Sequence, residues 1–224
     1  EVKNFIKKHG EVACICYDTD KKYAERVGLS CMREGHMSGS RGSYFLFEIE
    51  CPRFTADQIA RHEIGVFKNM QSQRYVDMDD DFSIYVPPKV MNNDILLKQY
   101  EAYEEMCKAR YKVNRACFDD LDITGEQAND LMRTMLPIGV KTKLGIGFTL
   151  EALSHFMQKR LCTRADLPIR KVAELMREEV LKVEPRYEEL LMVQCEMLGY
   201  CPERHTCGKA LTKKEFKEIL KKAK

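Results

Sequence analysis

The most constraining stretch of this sequence is Lys141 to Arg160, where a glycine-punctuated apolar run turns directly into a helical pattern. Lys141 to Phe148 reads as a strand. Thr149 is placed to cap a helix whose apolar stripe is Leu150, Leu153, Phe156 and Met157. Ser43 to Glu50 alternates, with Tyr44, Leu46 and Glu48 on one side and Phe45, Phe47 and Ile49 on the other. Strands and helices must therefore share a core, yet no regular β-α-β repeat organises them. The expected fold class is α+β, a mixed or antiparallel sheet with a long-helix lobe. Residues 1–210 read as a single domain with two lobes, and 211–224 as a basic C-terminal helix.

Elsewhere, Val12 to Tyr17 is short, apolar and rich in Cys and Ile, which predicts a buried strand. Lys21 to Glu34 predicts a helix with Ala24, Val27 and Met32 near one face, and Gly35 to Gly42 a loop. Thr55 with Gln58 matches a capping box for a helix reaching Gly65, which would put Gln58, Arg61 and His62 on one face. Tyr75 to Val86, including the acidic turn Asp79 to Asp81, predicts a loop feeding a strand before Pro87-Pro88. Asn93 to Arg115 predicts a long helix, and Thr124 with Gln127 a second box. A helix opens near Pro168 and carries Val172, Leu175, Met176 and Val180. Another runs from Pro185 to about Met197. Thr212 with Glu215 caps the last helix, whose apolar side is Phe216, Ile219 and Leu220.

Charge narrows the partners. With 37 basic and 35 acidic residues the chain has no excess charge for a general polyanion binder, so no nucleic acid partner is expected. No apolar run approaches the roughly 18 residues of a membrane span, so no membrane partner is expected either. The opening Glu-Val-Lys-Asn-Phe has no initiator Met and no apolar secretion signal, and reads as a trimmed or partial cytoplasmic chain. Most of the 10 cysteines sit singly in apolar patterns. Cys14, Cys16, Cys31, Cys107 and Cys162 read as small buried hydrophobes of a reduced compartment. The cluster Cys195, Cys201, His205 and Cys207 has zinc-ligand chemistry but not knuckle spacing. The expectation is an ordered turn with no metal ion.

Two polar groups stand out. Gln58, Arg61 and His62, followed by Ser72, Gln73 and Arg74, offer guanidinium forks and turn amides to a phosphate. The same residues also read as a solvated helix end and polar loop. Lys143, Gln158, Arg160, Arg164 and Arg170 flank apolar stripes. Arg170 opens a helix, where the macrodipole disfavours a cation. A bound anion, or Glu174 one turn on, would offset that cost. Gly145-Ile-Gly147 is not a dinucleotide fingerprint, and Ser72 has no nucleophile-elbow glycines.

Arg61-His62 followed by Ser72-Gln-Arg-Tyr75 resembles the signature of the flavin-dependent thymidylate synthases. Cys16-Tyr17, Gly35-His36, Phe45 to Glu50, Leu136-Pro137 with Thr142, and Phe156 to Arg170 follow in family order. Gly199 to Glu203 with Cys207-Gly208 is similar to a tail seen in some members, so the resemblance spans about residues 10 to 208. It implies a homotetramer whose active sites are shared between subunits. It implies FAD as cofactor, NADPH as reductant, methylenetetrahydrofolate as one-carbon donor, and dUMP or a related pyrimidine nucleotide as substrate, giving dTMP. Carried over residue by residue, it implies nucleotide contacts by Gln58, Arg61, Ser72, Gln73, Arg74, Lys143 and Arg170. Arg61, His62, Glu63, Gln158, Arg160 and Arg164 fall at cofactor-side positions. Arg170 matches the arginine expected at the pyrimidine, where it would act in catalysis.

The sequence also departs from the family pattern. Glu63 replaces the motif's second Arg, and one extra residue lies near Lys68 to Met70. Asn69 or Met70 replaces an acidic residue, Lys143 an Arg, and Gly42 a common His next to Arg41. Asp166 and Pro168 also differ. Two rival readings follow: a related flavin enzyme methylating or hydroxymethylating another pyrimidine nucleotide, and a non-catalytic nucleotide-binding or assembly protein.

Overall fold

The structure, a computed structural model, describes residues 4–78 and 82–222. The acidic turn expected at Asp79 to Asp81 and the last two residues lie outside the described residues. In chain order the elements are α1 (Phe5–Cys16), α2 (Ala24–Arg33), β1 (Phe45–Pro52), α3 (Arg53–Ala60), β2 (Val66–Met70) and α4 (Pro88–Met91). Then come α5 (Asp94–Asp119), α6 (Gly125–Met132), β3 (Lys141–Phe148), α7 (Leu150–Arg160), α8 (Leu167–Val183), α9 (Gln194–Leu198) and α10 (Lys213–Lys222). The strands form one antiparallel sheet in the order β1-β3-β2. The class is α+β, as expected. Among the described residues no helix is long and apolar enough to cross a membrane.

The chain divides into two compact units. The first comprises the segment up to Phe47, Arg61–Phe67 and the chain from Ile146 onward. The second comprises Glu48–Ala60 and Lys68–Gly145.

In the first unit α1 packs on α2 at a glycine pair. A Cβ on Gly10 would stand 1.6 Å from the Ala24 carbonyl oxygen, and one on Gly28 2.1 Å from that of Ile6. Phe45 receives the rings of Phe5 and Tyr187 edge-on, at centroid distances of 5.1 and 5.5 Å. Leu150, Leu153, Phe156 and Met157 of α7 are all buried, as their spacing predicts. Thr149 caps that helix by accepting from the Ala152 N–H at 3.2 Å.

In the second unit Asn93 caps the long α5 by accepting from the Leu96 N–H at 3.1 Å. Tyr111 of α5 meets Phe82, Met132 and Val140 in a small core. Met78, Ile84, Cys107, Phe118 and Leu136 pack against it.

Several expectations are corrected. Val12 to Tyr17 is not a strand, because most of it is the second half of α1. Ile6, Gly10 and Cys14 are buried at helical spacing while Val12 and Ile15 face solvent. A short apolar run does not by itself separate the two periods. Cys16 is exposed, and Cys107 and Cys162 are half-buried, whereas Cys51 is buried. Thr55 caps nothing: α3 starts at Arg53, directly after β1, and leaves Thr55 buried within it. The helix ends at Ala60, so Arg61 and His62 do not share a helical face with Gln58. The five-residue strand β2 follows, disguised in the sequence by Lys68 and Asn69.

The strand expected before Pro87 reduces to a bridge between Ile84 and Val140. Thr124 stands at the N-cap of α6 without a side-chain cap bond. The buried stripe of α8 is Ile169, Ala173, Met176 and Val180, so Leu175 faces out. Pro185–Leu190 is a 3₁₀ helix separate from the short α9, rather than one helix to Met197. The third box is made as expected: Glu215 accepts from the Thr212 N–H at 2.7 Å, and Thr212 Oγ1 from the Glu215 N–H at 3.3 Å.

The glycine contact is directly testable. Gly10→Ala forces α1 and α2 apart, with an expected loss of about 1–3 kcal/mol, the usual cost of overpacking. A lower urea midpoint at unchanged m-value would report it. Gly42→Ala, with nothing within 4 Å of its added methyl, should leave the midpoint in place.

Candidate functional site

The site is built on the junction between β3 and α7. Phe148, the last residue of β3, packs on Phe156 of α7 at a centroid distance of 5.2 Å. Phe156 in turn meets the His62 ring at 5.0 Å. The segment carrying His62 is tied to the same junction. Gly65 adopts φ +70, and its carbonyl oxygen accepts from the Thr149 N–H at 2.9 Å. A Cβ on Gly65 would lie 2.6 Å from Thr149 Oγ1, so only glycine fits there without displacing the cap. Arg160, at the other end of α7, donates from Nε to His62 Nε2 at 3.1 Å. That nitrogen must present its lone pair, so the bond selects one orientation of the imidazole.

These contacts wall a cavity of about 780 Å³, within the usual range for a sizeable organic ligand. It lies wholly within the first unit. Arg41, Tyr44, Arg61, His62, Glu63, Glu151 and His155 supply its polar and aromatic lining. Arg41 is held by Glu151, with Nε 2.9 Å and Nη2 3.4 Å from its carboxylate oxygens. That carboxylate holds the Arg41 pKa above its usual value. The Arg160 pKa is lowered, first by burial and then by the nearby charge of Arg61. Two guanidiniums that disfavour one another are stabilised by an anion between or beside them. Among the described residues the lining contains no Cys, Ser or Lys, and so no thiol or amine nucleophile. Its chemistry suits binding and orienting a planar, anionic group.

The cofactor-side candidates are only partly gathered. Arg61, His62 and Glu63 line the cavity, and Arg160 acts on it through His62. Gln158 donates to Ser154 Oγ at 3.3 Å. Gln158 and Arg164 line a second, much smaller cavity shared with four cysteines. Arg164 donates to the His205 carbonyl. Arg170 sits near Glu174, Nε to Oε1 3.7 Å, and donates to the Thr163 carbonyl at 3.2 Å. The ion pair anticipated one turn along α8 is therefore present.

In the second unit, Gln58 lies half-buried on α3. Ser72 to Arg74 forms a turn in which Ser72 Oγ accepts from the Arg74 N–H at 3.2 Å. Asn129 donates to the Arg74 carbonyl at 3.0 Å, and the Lys143 carbonyl accepts from Gln71 N–H at 2.9 Å. Arg74 itself reaches Glu126 at 2.5 Å and Asp130 at 3.3 Å. The Lys143 side chain is exposed on β3.

Sequence reading missed Tyr44, Glu151 and His155 as lining residues. Glu151 and His155 are one turn apart on α7 and, with Gln158, mark its polar face. That spacing was available as a signal. Tyr44 carries no such mark, because its role depends on where the strand points.

The family model described as thymidylate synthase complementing protein matches residues 7–186. The flavin-dependent thymidylate synthase of Nitratidesulfovibrio vulgaris is 35% identical over 183 residues, covering 80% of this chain and 74% of that protein. The protein of the same name from Pyrococcus horikoshii is 34% identical over 200 residues, covering 84% and 78%. A solved structure, the UMP/dUMP methylase PolB from Streptomyces cacaoi bound with 5-Br dUMP, shares the fold. It aligns with TM-score 0.64 at 18% identity, over 83% of this chain and 89% of that one.

The Gly65 contact predicts a specific cost. Gly65→Ala should lose about 1–2 kcal/mol for the left-handed backbone alone. Thr149→Ala should lose about 0.5–2 kcal/mol with the cap. Thermal unfolding of both single variants and the double variant checks this. A double-variant loss smaller than the sum would show that the two residues act through one contact.

Proposed function

The chain belongs to the thymidylate synthase complementing protein family, the flavin-dependent thymidylate synthases, and from that premise we propose that it transfers a one-carbon unit from methylenetetrahydrofolate to C5 of dUMP, giving dTMP. The observation that carries this reading is the cavity built around the family's own signature. Arg61 and His62 form part of its wall, and Arg160 is bonded to His62.

FAD fits the residues present. The rings of Tyr44, His62 and His155 suit a flat heteroaromatic system, and the charge of Arg61 with Arg160 suits a diphosphate. When bound and reduced, with NADPH as the source of electrons, the flavin supplies the hydride for the reaction. This chain's residues position and polarise. His62, oriented by Arg160, and Arg61 hold the cofactor side. Ser72, Gln73 and Arg74 bind the nucleotide phosphate, with Glu126 and Asp130 keeping the Arg74 guanidinium aligned until the anion arrives. Gln58 and Lys143 add nucleotide contacts. Arg170 stabilises negative charge developing on the pyrimidine, so no enzyme thiolate is needed to activate the ring.

The proposed assembly is a cytoplasmic homotetramer. Supporting it, α5 leaves Ile95 75% and Met106 59% exposed, with Leu96, Tyr103 and Val113 also open. Such a stripe is suited to burial against another subunit.

Glu63 favours a second reading, in which a related pyrimidine nucleotide is methylated or hydroxymethylated. It places a carboxylate in the cavity where the family pattern has a cation. Incubation with dUMP or dCMP, methylenetetrahydrofolate and reductant, followed by product mass, tests the two. A mass of dTMP from dUMP is expected. A hydroxymethylated product, or turnover of dCMP alone, rejects the dTMP assignment. A purified protein without flavin absorbance that takes up no added FAD rejects both enzyme readings.

Arg170→Ala should slow single-turnover product formation by about a hundred- to thousand-fold, the cost of about 2.7–4 kcal/mol for losing one strong transition-state contact. The measurement uses saturating nucleotide and pre-reduced flavin. A folded, FAD-binding variant reacting within about twofold of the parent removes Arg170 from the chemistry, since that ratio is only about 0.4 kcal/mol.

A further inference from the structure

The turn from Ser72 to Arg74 is held from behind by a polar network on α5 and α6, all of it within the second unit. Arg115 of α5 is its hub. Its Nη1 donates to Asn129 Oδ1 on α6 at 2.7 Å, and its Nη2 lies 3.2 Å from Asp77 Oδ2. Asn129, itself buried, passes the contact on, because its Nδ2 donates to the Arg74 carbonyl at 3.0 Å. Asp77 also accepts from the Tyr111 hydroxyl at 3.3 Å. Burial, and then the charge of Asp77, push the Tyr111 pKa up to about 12, so that hydroxyl stays a donor. One guanidinium thus holds the chain at two points, at Arg74 through Asn129 and at Asp77 directly.

Each group in this relay has one part to play. A guanidinium only donates, so Arg115 fixes Asn129 with its oxygen toward α5 and its NH2 group toward the turn. The reversed amide would set donor against donor at Arg115 and acceptor against acceptor at Arg74. The Arg74 carbonyl, a partial negative charge, is therefore tied back toward α6. The Arg74 N–H is drawn to Ser72 Oγ at 3.2 Å, and the Val76 N–H to the Ser72 carbonyl at 3.1 Å. Because Ser72 Oγ accepts there, its own proton is left to donate to an anion.

We propose that Arg115 is a positioning residue for the nucleotide phosphate. It acts through Asn129, holding the Arg74 carbonyl away from the anion and the Ser72–Arg74 turn in its binding shape. This rests on the reading that the turn receives the phosphate of a pyrimidine nucleotide. Arg115 works at one remove, and Asn129 is the group that meets the turn. Asp119, one turn along α5, is 3.8 Å from Arg115 Nε, so the short contacts of the guanidinium are those to Asn129 and Asp77. The planar fork is what spans both. Arg115→Lys keeps the charge but not the fork. Asn129→Leu keeps the approximate bulk and removes the donor to the Arg74 carbonyl.

Neither variant changes the net charge, so neither alters the long-range field at a phosphate. Calorimetric titration of the FAD-loaded protein with dUMP should show each binding about tenfold more weakly than the parent, the scale of one lost hydrogen bond. In turnover the loss should appear as a raised KM for dUMP rather than a lowered kcat, because binding and not chemistry is impaired. FAD affinity, governed by the first-unit cavity, should stay within about twofold. The double variant should lose little more than the worse single variant, since both act through one relay. In the ligand-free parent the Arg74 and Val76 amides should already be protected from hydrogen exchange. Exchange there at the rate of an unstructured loop overturns the proposal without any variant. So do fully additive losses, or an equal fall in FAD and dUMP affinity, which would mark general damage to the fold. Parent and both variants binding dUMP equally well overturn the positioning role alone. Parent protein that takes up FAD but binds no dUMP overturns the nucleotide reading and this role with it.

Discussion

Everything in the candidate site leans on the close approach of Gly65 to Thr149. The Thr149 N–H donates to the Gly65 carbonyl, and its hydroxyl accepts from Ala152 to start α7. One residue thus ends the strand, caps the helix and anchors the segment that carries Arg61, His62 and Glu63. The left-handed turn at Gly65 lets the backbone come near enough for this. The stack of Phe148, Phe156 and His62 then converts core packing into the position of a site residue. Arg160, one α7 length from Thr149, completes the hold on the imidazole.

The electrostatics of the first unit divide into satisfied and strained groups. Arg41 with Glu151 is an exposed pair, of the kind that orients more than it stabilises. Arg160 differs, because burial and Arg61 both work against its charge. Cation density kept at such a cost is expected where an anion binds. Glu63 lines the same cavity and sets a carboxylate beside that cation density. In the second unit Arg74 is held between Glu126 and Asp130, while Asn129 fixes the turn's backbone. The turn is thereby shaped before any ligand contacts it.

Stability is unevenly distributed. The α1–α2 contact depends on two glycines with no room for a methyl group, and the small core around Tyr111 anchors the long α5. The C-terminal segment has neither resource: from Met192 to Lys222 only Cys201 is buried, and the Tyr200 and Phe216 rings, 5.3 Å apart, are half-buried. The scarcity of apolar burial there distinguishes it from the rest of the first unit.

The sequence by itself determined those elements whose signals are local. β3 and α7 fall where Lys141–Phe148 and Thr149–Arg160 predict them, because strand period, cap and helical stripe all agree at that junction. The Thr212–Glu215 box and the Asn93 start of α5 are equally local. The signature Arg61-His62 with Ser72-Gln-Arg74 was also legible, because it is a string of residue types. Tertiary structure alone decided what depends on neighbours distant in sequence. It made Val12 to Cys16 helical, since burial of Ile6, Gly10 and Cys14 settles a period that a short apolar run leaves open. It ended α3 at Ala60, detaching Arg61 and His62 from the helix, because the chain there must turn through Gly65 into β2. It brought Tyr44 and His155 to the cavity and Cys162 to the C-terminal cysteines. No local pattern encodes these meetings, because they arise only when segments far apart in sequence pack against one another.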